Sequence, residues 1–234
     1  MKLAIMQPYF FPYIGYFQLI GAVDRFVVYD DVSFINKGWI NRNNIILNGC
    51  KGFINVPLIG ASQNKLIKDI MPTDDDRWKF KMLKTIEHNY KNAPHFANVY
   101  RMLEGIINSH PVNISEFNVT AIKTVCEYLS IPTMIISSSD VYGNIALKGQ
   151  YRILDICRRE GATSYINPIG GIELYEKELF RNEGIQLCFL KSESVEYKQR
   201  KNIDHFIPNL SIIDVLMNNS VSDCQGFLTK YELI

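Results

Sequence analysis

Histidine is scarce in this sequence. There are four in 234 residues, and none before His88. That removes any imidazole-based site from the first third of the chain, and no Ser-His-Asp order can be traced. The five cysteines, Cys50, Cys126, Cys157, Cys188 and Cys224, are far apart and form no CxxC pair, which weighs against a zinc site. Their odd number reads as reduced thiols, and the expectation is a cytoplasmic protein. An excess of one charge sign is also missing: 25 basic against 24 acidic residues give a net charge of +1. No whole-chain field therefore attracts nucleic acid or an anionic membrane. No apolar run approaches the roughly 18 residues of a membrane span. The opening residues hold one lysine and an apolar run broken by Gln7-Pro8, so an export signal is not expected. Internal repeats, low-complexity tracts and linkers are absent. The sequons at Asn113 and Asn118 would go unused in a cytosol.

What is present is ordinary in bulk and specific in detail. Hydrophobic residues make up 47% and charged residues 21%, as in soluble globular proteins. The length permits one large domain, expected over 1–234. The organising stretch is Leu3 to Asp31. Leu3-Ala4-Ile5-Met6 is a continuous apolar run, as in a strand buried on both faces. Gln7-Pro8 ends it, because proline has no amide hydrogen. An aromatic loop follows, then a helix through Ile14, Phe17, Gln18 and Ala22, with Gly21 as a plausible stop. Phe26-Val27-Val28-Tyr29 is a second buried run, with Asp30-Asp31 at its carboxyl end. In open α/β sheets ligands bind beyond the carboxyl ends of strands. Gln7, Tyr9, Asp30 and Asp31 are thus candidates on one edge, with Tyr9, Tyr13 and Tyr16 crowding around Gln7. Polar groups converging on aromatics suit a small-molecule pocket. The plain structural alternative is an apolar loop packed as core.

Further along, Asn48-Gly49 between apolar runs signals a hairpin, entered past Lys37 and Arg42. Those cations are either phosphate ligands or ordinary surface charges. Trp78, Met82, Ile86 and Tyr90 fall four apart and predict a helix. Two more follow, so residues 75–130 read as a helical insertion. His88 lies near the joint of the first two helices and is a catalytic candidate against a structural role. Thr133 to Ile136 reads as a buried strand followed by the serine cluster 137–139. Thr163 to Ile166 is another, followed by Asn167-Pro168-Ile169-Gly170-Gly171 and a helix through Leu174 and Leu179. Gly170-Gly171 is a weak phosphate-loop signal, short of a complete pattern. Ile185 to Leu190 is a strand, and Asn209 to Met217 is a short apolar helix. The alternation predicts an α/β fold with a mainly parallel central sheet and flanking helices.

Five segments in order, LAIMQPYFFPYIGYFQLI, YDDVSFINKGWINRN, RREGATSYINPIGG, VEYKQ and FIPNLSIIDVL, resemble the WbqC-like family over almost the full length. The matching positions are Gln7, Pro8, Pro12, Gly15, Tyr16, Asp30, Arg42, Asn43, Gly170, Gly171, Tyr197, Gln199 and Asp214. Asn167 stands where a serine is expected. The resemblance implies a place in O-antigen and other surface-polysaccharide (lipopolysaccharide) biosynthesis, with a suggested glycyl transfer to an amino-sugar nucleotide. The implied partners are a nucleotide sugar and an amino-acid donor. Substrate-binding candidates are Gln7, Tyr9, Tyr16, Lys37, Arg42, Asn43, Gly170, Gly171, Tyr197 and Gln199; catalytic candidates are Asp30, Asp31 and His88; no metal ligands are expected. By fold analogy with ligases that form acyl-adenylates, ATP with Mg²⁺ is a possible cofactor. The His-x-Gly-His signature of that class is missing. The rival is a non-catalytic nucleotide-sugar or glycan-binding protein that partners a glycosyltransferase. No oligomeric state is legible.

Overall fold

A computed structural model describes residues 1–199 and 205–234. In chain order the elements are β1 (Lys2–Met6), α1 (Ile14–Gly21), β2 (Arg25–Val28), β3 (Arg42–Leu47), β4 (Cys50–Asn55), β5 (Leu58–Ile59) and β6 (Met71–Pro72). Then come α2 (Arg77–Tyr90), α3 (Phe96–Ile107), α4 (Ile114–Tyr128), β7 (Met134–Ile136), α5 (Gly149–Arg159), β8 (Ser164–Pro168), α6 (Lys177–Asn182), β9 (Gln186–Ser192), α7 (Ile212–Asn218), α8 (Val221–Phe227) and β10 (Tyr231–Leu233).

Six strands form the central sheet in the order β10-β9-β8-β1-β2-β7. All neighbours are parallel except β10, which pairs antiparallel with β9 at the edge. β1 lies inside the sheet between β8 and β2. Its side chains alternate between two cores, as period-2 geometry requires. Leu3, Ile5 and Val27 pack with residues of α5 and α6, while Ala4, Phe26 and Val28 join a larger core with α1, α4 and α7. Helices therefore cover both faces, and strands buried on both faces read as continuous apolar runs.

The helical stretch expected near 75–130 is α2, α3 and α4, and their apolar faces belong to the larger core. Two of these helices and the hairpin before them show their sequence cause directly. Asn113 caps α4 by accepting a hydrogen bond from the Glu116 amide at 2.8 Å. Met82, Leu83, Ile86 and Tyr90 give α2 one buried stripe. The hairpin β3–β4 turns at Asn48-Gly49, with φ +51° and +86°, the left-handed pair that such a turn demands.

Three expectations need correction. The run at 133–136 is an edge strand rather than a buried one, because only β2 pairs with it, and Met134 is largely exposed. The helix expected after Gly171 is a 3-10 turn over Ile169–Leu174, broken before α6; Leu174 is exposed and supplies no buried stripe. The small β5–β6 pair, α8 and β10 were not anticipated from sequence.

Candidate functional site

The aromatic loop after β1 is clamped carbonyl by carbonyl. The Tyr16 hydroxyl donates to Gln7 O at 2.8 Å. Asn118 Nδ2 donates to Pro8 O at 2.9 Å and to Ile40 O at 2.7 Å. The Phe10 amide donates to Trp39 O at 2.8 Å. Asn43 Nδ2 donates to Phe10 O at 3.0 Å and to Phe11 O at 2.9 Å. Ser211 Oγ donates to Phe11 O at 2.7 Å, and the Ile212 amide to Pro12 O at 2.9 Å. A loop buried among apolar groups must find partners for its carbonyls. Apart from Tyr16 on α1, they come from β3, α4 and the start of α7, three elements remote in sequence. The clamp also holds Phe11 at φ +38°, a left-handed conformation that costs a non-glycine residue about 1–3 kcal/mol. Asn118 is fully buried, so its sequon is closed to a glycan.

Beside this loop lies a cleft of about 510 Å³. Met6, at the end of β1, and Pro168, at the end of β8, place it at the carboxyl edge of the sheet. Its walls are aromatic: Tyr9, Tyr13, Tyr16 and Trp39. Asn43, Lys51 and Asn209 supply polar groups. Gly15 is needed for this shape, since a Cβ there would overlap the Tyr13 ring. Burial raises the pKa of Tyr9, with Tyr13 adding to it, and burial raises Tyr13 as well. Tyr16, buried completely, is raised further. All three stay protonated at neutral pH and serve as hydrogen-bonding phenols rather than phenolates.

Of the sequence candidates, Tyr9, Tyr16 and Asn43 meet in the cleft, while Gln7 lies next to it in the clamped loop. Asp30 and Asp31 do not line it. Asp30 is buried, and its carboxylate accepts from Ser138 Oγ at 2.7 Å, Ser115 Oγ at 2.7 Å and the Ser139 amide at 3.2 Å. Asp31 forms a buried ion pair with Arg152 and accepts from Ser139 Oγ. The Arg152 guanidinium also lies 5.0 Å from the Tyr29 ring centroid and donates to Asn144 Oδ1 at 2.9 Å. The serine cluster after β7 thus holds the acidic end of β2.

Arg42 sits at the start of β3. Its guanidinium donates to Gly38 O at 3.2 Å and to Lys37 O, and stacks 4.5 Å over Phe53. It fastens the turn in which Lys37 takes φ +59° with an exposed side chain. Tyr197 and Gln199 converge on buried Asp214, which also accepts from Tyr90. Tyr197 donates at 2.7 Å, Tyr90 at 2.8 Å and Gln199 Nε2 at 3.2 Å. Burial raises the Asp214 pKa despite these three donors. Gln199 also pairs through its amide with both Ile207 N and Ile207 O at 2.9 Å. His88 lines a separate shallow basin on α2 with Leu47, Phe80 and Lys84. Gly170 is open, and Gly171 makes room for Asn167, whose Oδ1 accepts from Tyr165. The glycines lie beyond Pro168 and do not line the cleft.

Trp39, Lys51 and Asn209 are cleft residues that sequence reasoning did not select. Lys51 and Phe53 stand on one face of β4 by period 2, a signal that was available. Burial pushes the thiols of Cys126, Cys157 and Cys224 up to about 12, so they are not activated nucleophiles. Among the described residues no three His, Cys, Asp or Glu side chains gather as a metal cage, and no helix is long and apolar enough to cross a membrane.

The sequence model of the WbqC-like protein family matches residues 7–225. A curated relative, the uncharacterized protein Rv1507c of Mycobacterium tuberculosis (strain ATCC 25618 / H37Rv), is 29% identical over 221 residues, covering 93% of each chain. No solved structure matches. With a family match from the clamped loop to α8, the chain belongs to the WbqC-like protein family.

Proposed function

We propose that the protein is a cytoplasmic transferase of surface-polysaccharide (O-antigen) biosynthesis that joins an aminoacyl group, glycine, to an amino-sugar nucleotide. The observation that carries this is the cleft at the carboxyl edge of the sheet. A volume of about 510 Å³ accommodates a small molecule. Aromatic walls suit the faces of a sugar or a base, and Asn43 and Asn209 offer both donors and acceptors to hydroxyls. The rigid loop beneath means that little ordering has to occur on binding. The reaction would form one C–N bond between the sugar amine and an activated carboxyl, with loss of the leaving group and a proton. In this reading Asp30 and Asp31 shape the end of β2 rather than touch the substrate, because their oxygens already have partners. ATP with Mg²⁺ remains one means of activating the carboxyl; the ion would arrive with its phosphates rather than in a protein cage.

One observation favours the non-catalytic reading. Among the described residues, no aspartate, glutamate or histidine lines the cleft. A protein that only holds a nucleotide sugar needs none.

The test is a mass-spectrometric assay for a glycyl product with a panel of amino-sugar nucleotides, glycine and ATP, beside ligand-dependent melting. Product formation supports the transferase. Melting shifts with nucleotide sugars and no product with any donor support the binding protein. No shift with any sugar nucleotide removes both.

A further inference from the structure

The hairpin β3–β4 ends the cleft in an unusual series of side chains. Trp39 lines the cleft and is 41% exposed. Its ring centroid lies 6.5 Å from that of Phe53. Phe53 is itself covered by the Arg42 guanidinium at 4.5 Å. Arg42 is fixed by two backbone carbonyls, so the series has a rigid base. Arg42 covers Phe53, the Phe53 ring is tilted 37° to that of Trp39, and Trp39 in turn lines the cleft. A planar ring bound in the cleft would have the Trp39 ring to pack on, and stacking on an aromatic face contributes about 1–3 kcal/mol per base.

Lys51 stands two residues from Phe53 on the same face of β4 and also lines the cleft. It is the one lysine or arginine among the residues described as lining it. No acidic group among the described residues lies within ion-pair distance of its Nζ. An ammonium on a flexible stem suits a phosphate as a point charge.

We infer that the β3–β4 hairpin is the phosphate end of the cleft, with Lys51 receiving the diphosphate of a nucleotide whose ring stacks on Trp39. This rests on the nucleotide-sugar reading of the same cleft and adds its orientation. It moves the anion contact from Lys37 and Arg42, whose backbone turn is a structural support, to Lys51. The sugar then points along the tyrosine wall, toward Tyr9 and Tyr13.

The chain has two tryptophans. Trp78 is half-buried and packs edge-on against Phe117, away from the cleft lining. In Trp78→Phe, emission therefore reports Trp39 alone. The probes are UDP, dTDP, GDP and ADP, each beside its nucleoside, and the UDP- and dTDP-linked amino sugars. At least one diphosphate should quench Trp39 saturably and bind more tightly than its nucleoside. Adding Lys51→Ala should raise the Kd of that diphosphate about tenfold, the scale of one charge-assisted hydrogen bond, and leave the nucleoside within twofold. Lys51→Arg should keep binding within about threefold. Salt should weaken the parent's diphosphate binding more than that of Lys51→Ala. Equal weakening of nucleoside and diphosphate, or none, would overturn the assignment of Lys51 while leaving the nucleotide-sugar reading intact. If no nucleotide or sugar nucleotide quenches Trp39 or shifts melting of the parent protein, that reading falls and the orientation with it.

Discussion

Replacing Asn43 by alanine tests the clamp that shapes the cleft. The residue is buried, and its Nδ2 serves the carbonyls of Phe10 and Phe11. After truncation Phe11 O keeps the Ser211 hydroxyl at 2.7 Å. The loss there is one net hydrogen bond, about 1 kcal/mol. Phe10 O has no second partner among the described residues, and an unsatisfied buried carbonyl costs about 1–3 kcal/mol. The sum is about 2–4 kcal/mol, to be read from urea denaturation with unchanged m-value. Asn43→Asp should cost more, because it sets a carboxylate against two carbonyl oxygens. Ligand affinity should fall as well, since Tyr9 and Tyr13 flank the strained Phe11. A stability change below about 0.5 kcal/mol in Asn43→Ala would refute the clamp, for it would mean that water or a shifted loop satisfies both carbonyls equally well.

Arg152→Ala leaves Asp31 charged and unpaired in the interior, so a loss of about 3–5 kcal/mol is expected in chemical denaturation, with part regained on adding Asp31→Asn. Burial raises the Asp214 pKa, so the folded state holds its proton to higher pH than the unfolded chain, whose carboxyl titrates near 3.8. The folded state therefore binds more protons in that window, and this contribution to stability is lost as pH rises. The stability of the parent relative to Asp214→Asn should decline with pH above about 4; a difference that grows with pH would contradict the burial argument. Gly15→Ala lies in the first turn of a helix and should leave stability within about 1 kcal/mol, yet displace the Tyr13 ring and abolish ligand-dependent melting shifts.

The architecture was legible where local pattern and burial coincide. The runs at Leu3, Phe26, Thr163 and Ile185 are apolar on both faces because helices cover both faces of the sheet. Asn48-Gly49 announced its hairpin through the left-handed φ that asparagine and glycine tolerate. The 133–136 run looked equally buried, but edge position is a property of strand order, which no local pattern carries. β10 is only three residues long, and pairs only because the chain returns beside β9. For the site, the aromatic loop was visible in composition. The fate of Asp30 and Asp31 was not. Ser115 lies 85 residues from Asp30, and Arg152 lies 121 from Asp31, so their neutralising partners arise only on folding. The same holds for Asn118, which reaches back 110 residues to the Pro8 carbonyl. Tyr197, Gln199 and Asp214 read as separate polar residues near the end of the chain, whereas they form one buried hydrogen-bonded group with Tyr90.

The most direct measurement is a crystal structure with a UDP- or dTDP-linked amino sugar that shifts the melting temperature. Density for the ligand is expected in the cleft between Tyr13 and Trp39, with the loop from Gln7 to Pro12 unmoved. Density in the basin beside His88, or against Gly170-Gly171 with the aromatic cleft empty, would contradict the assignment of this cleft as the functional site.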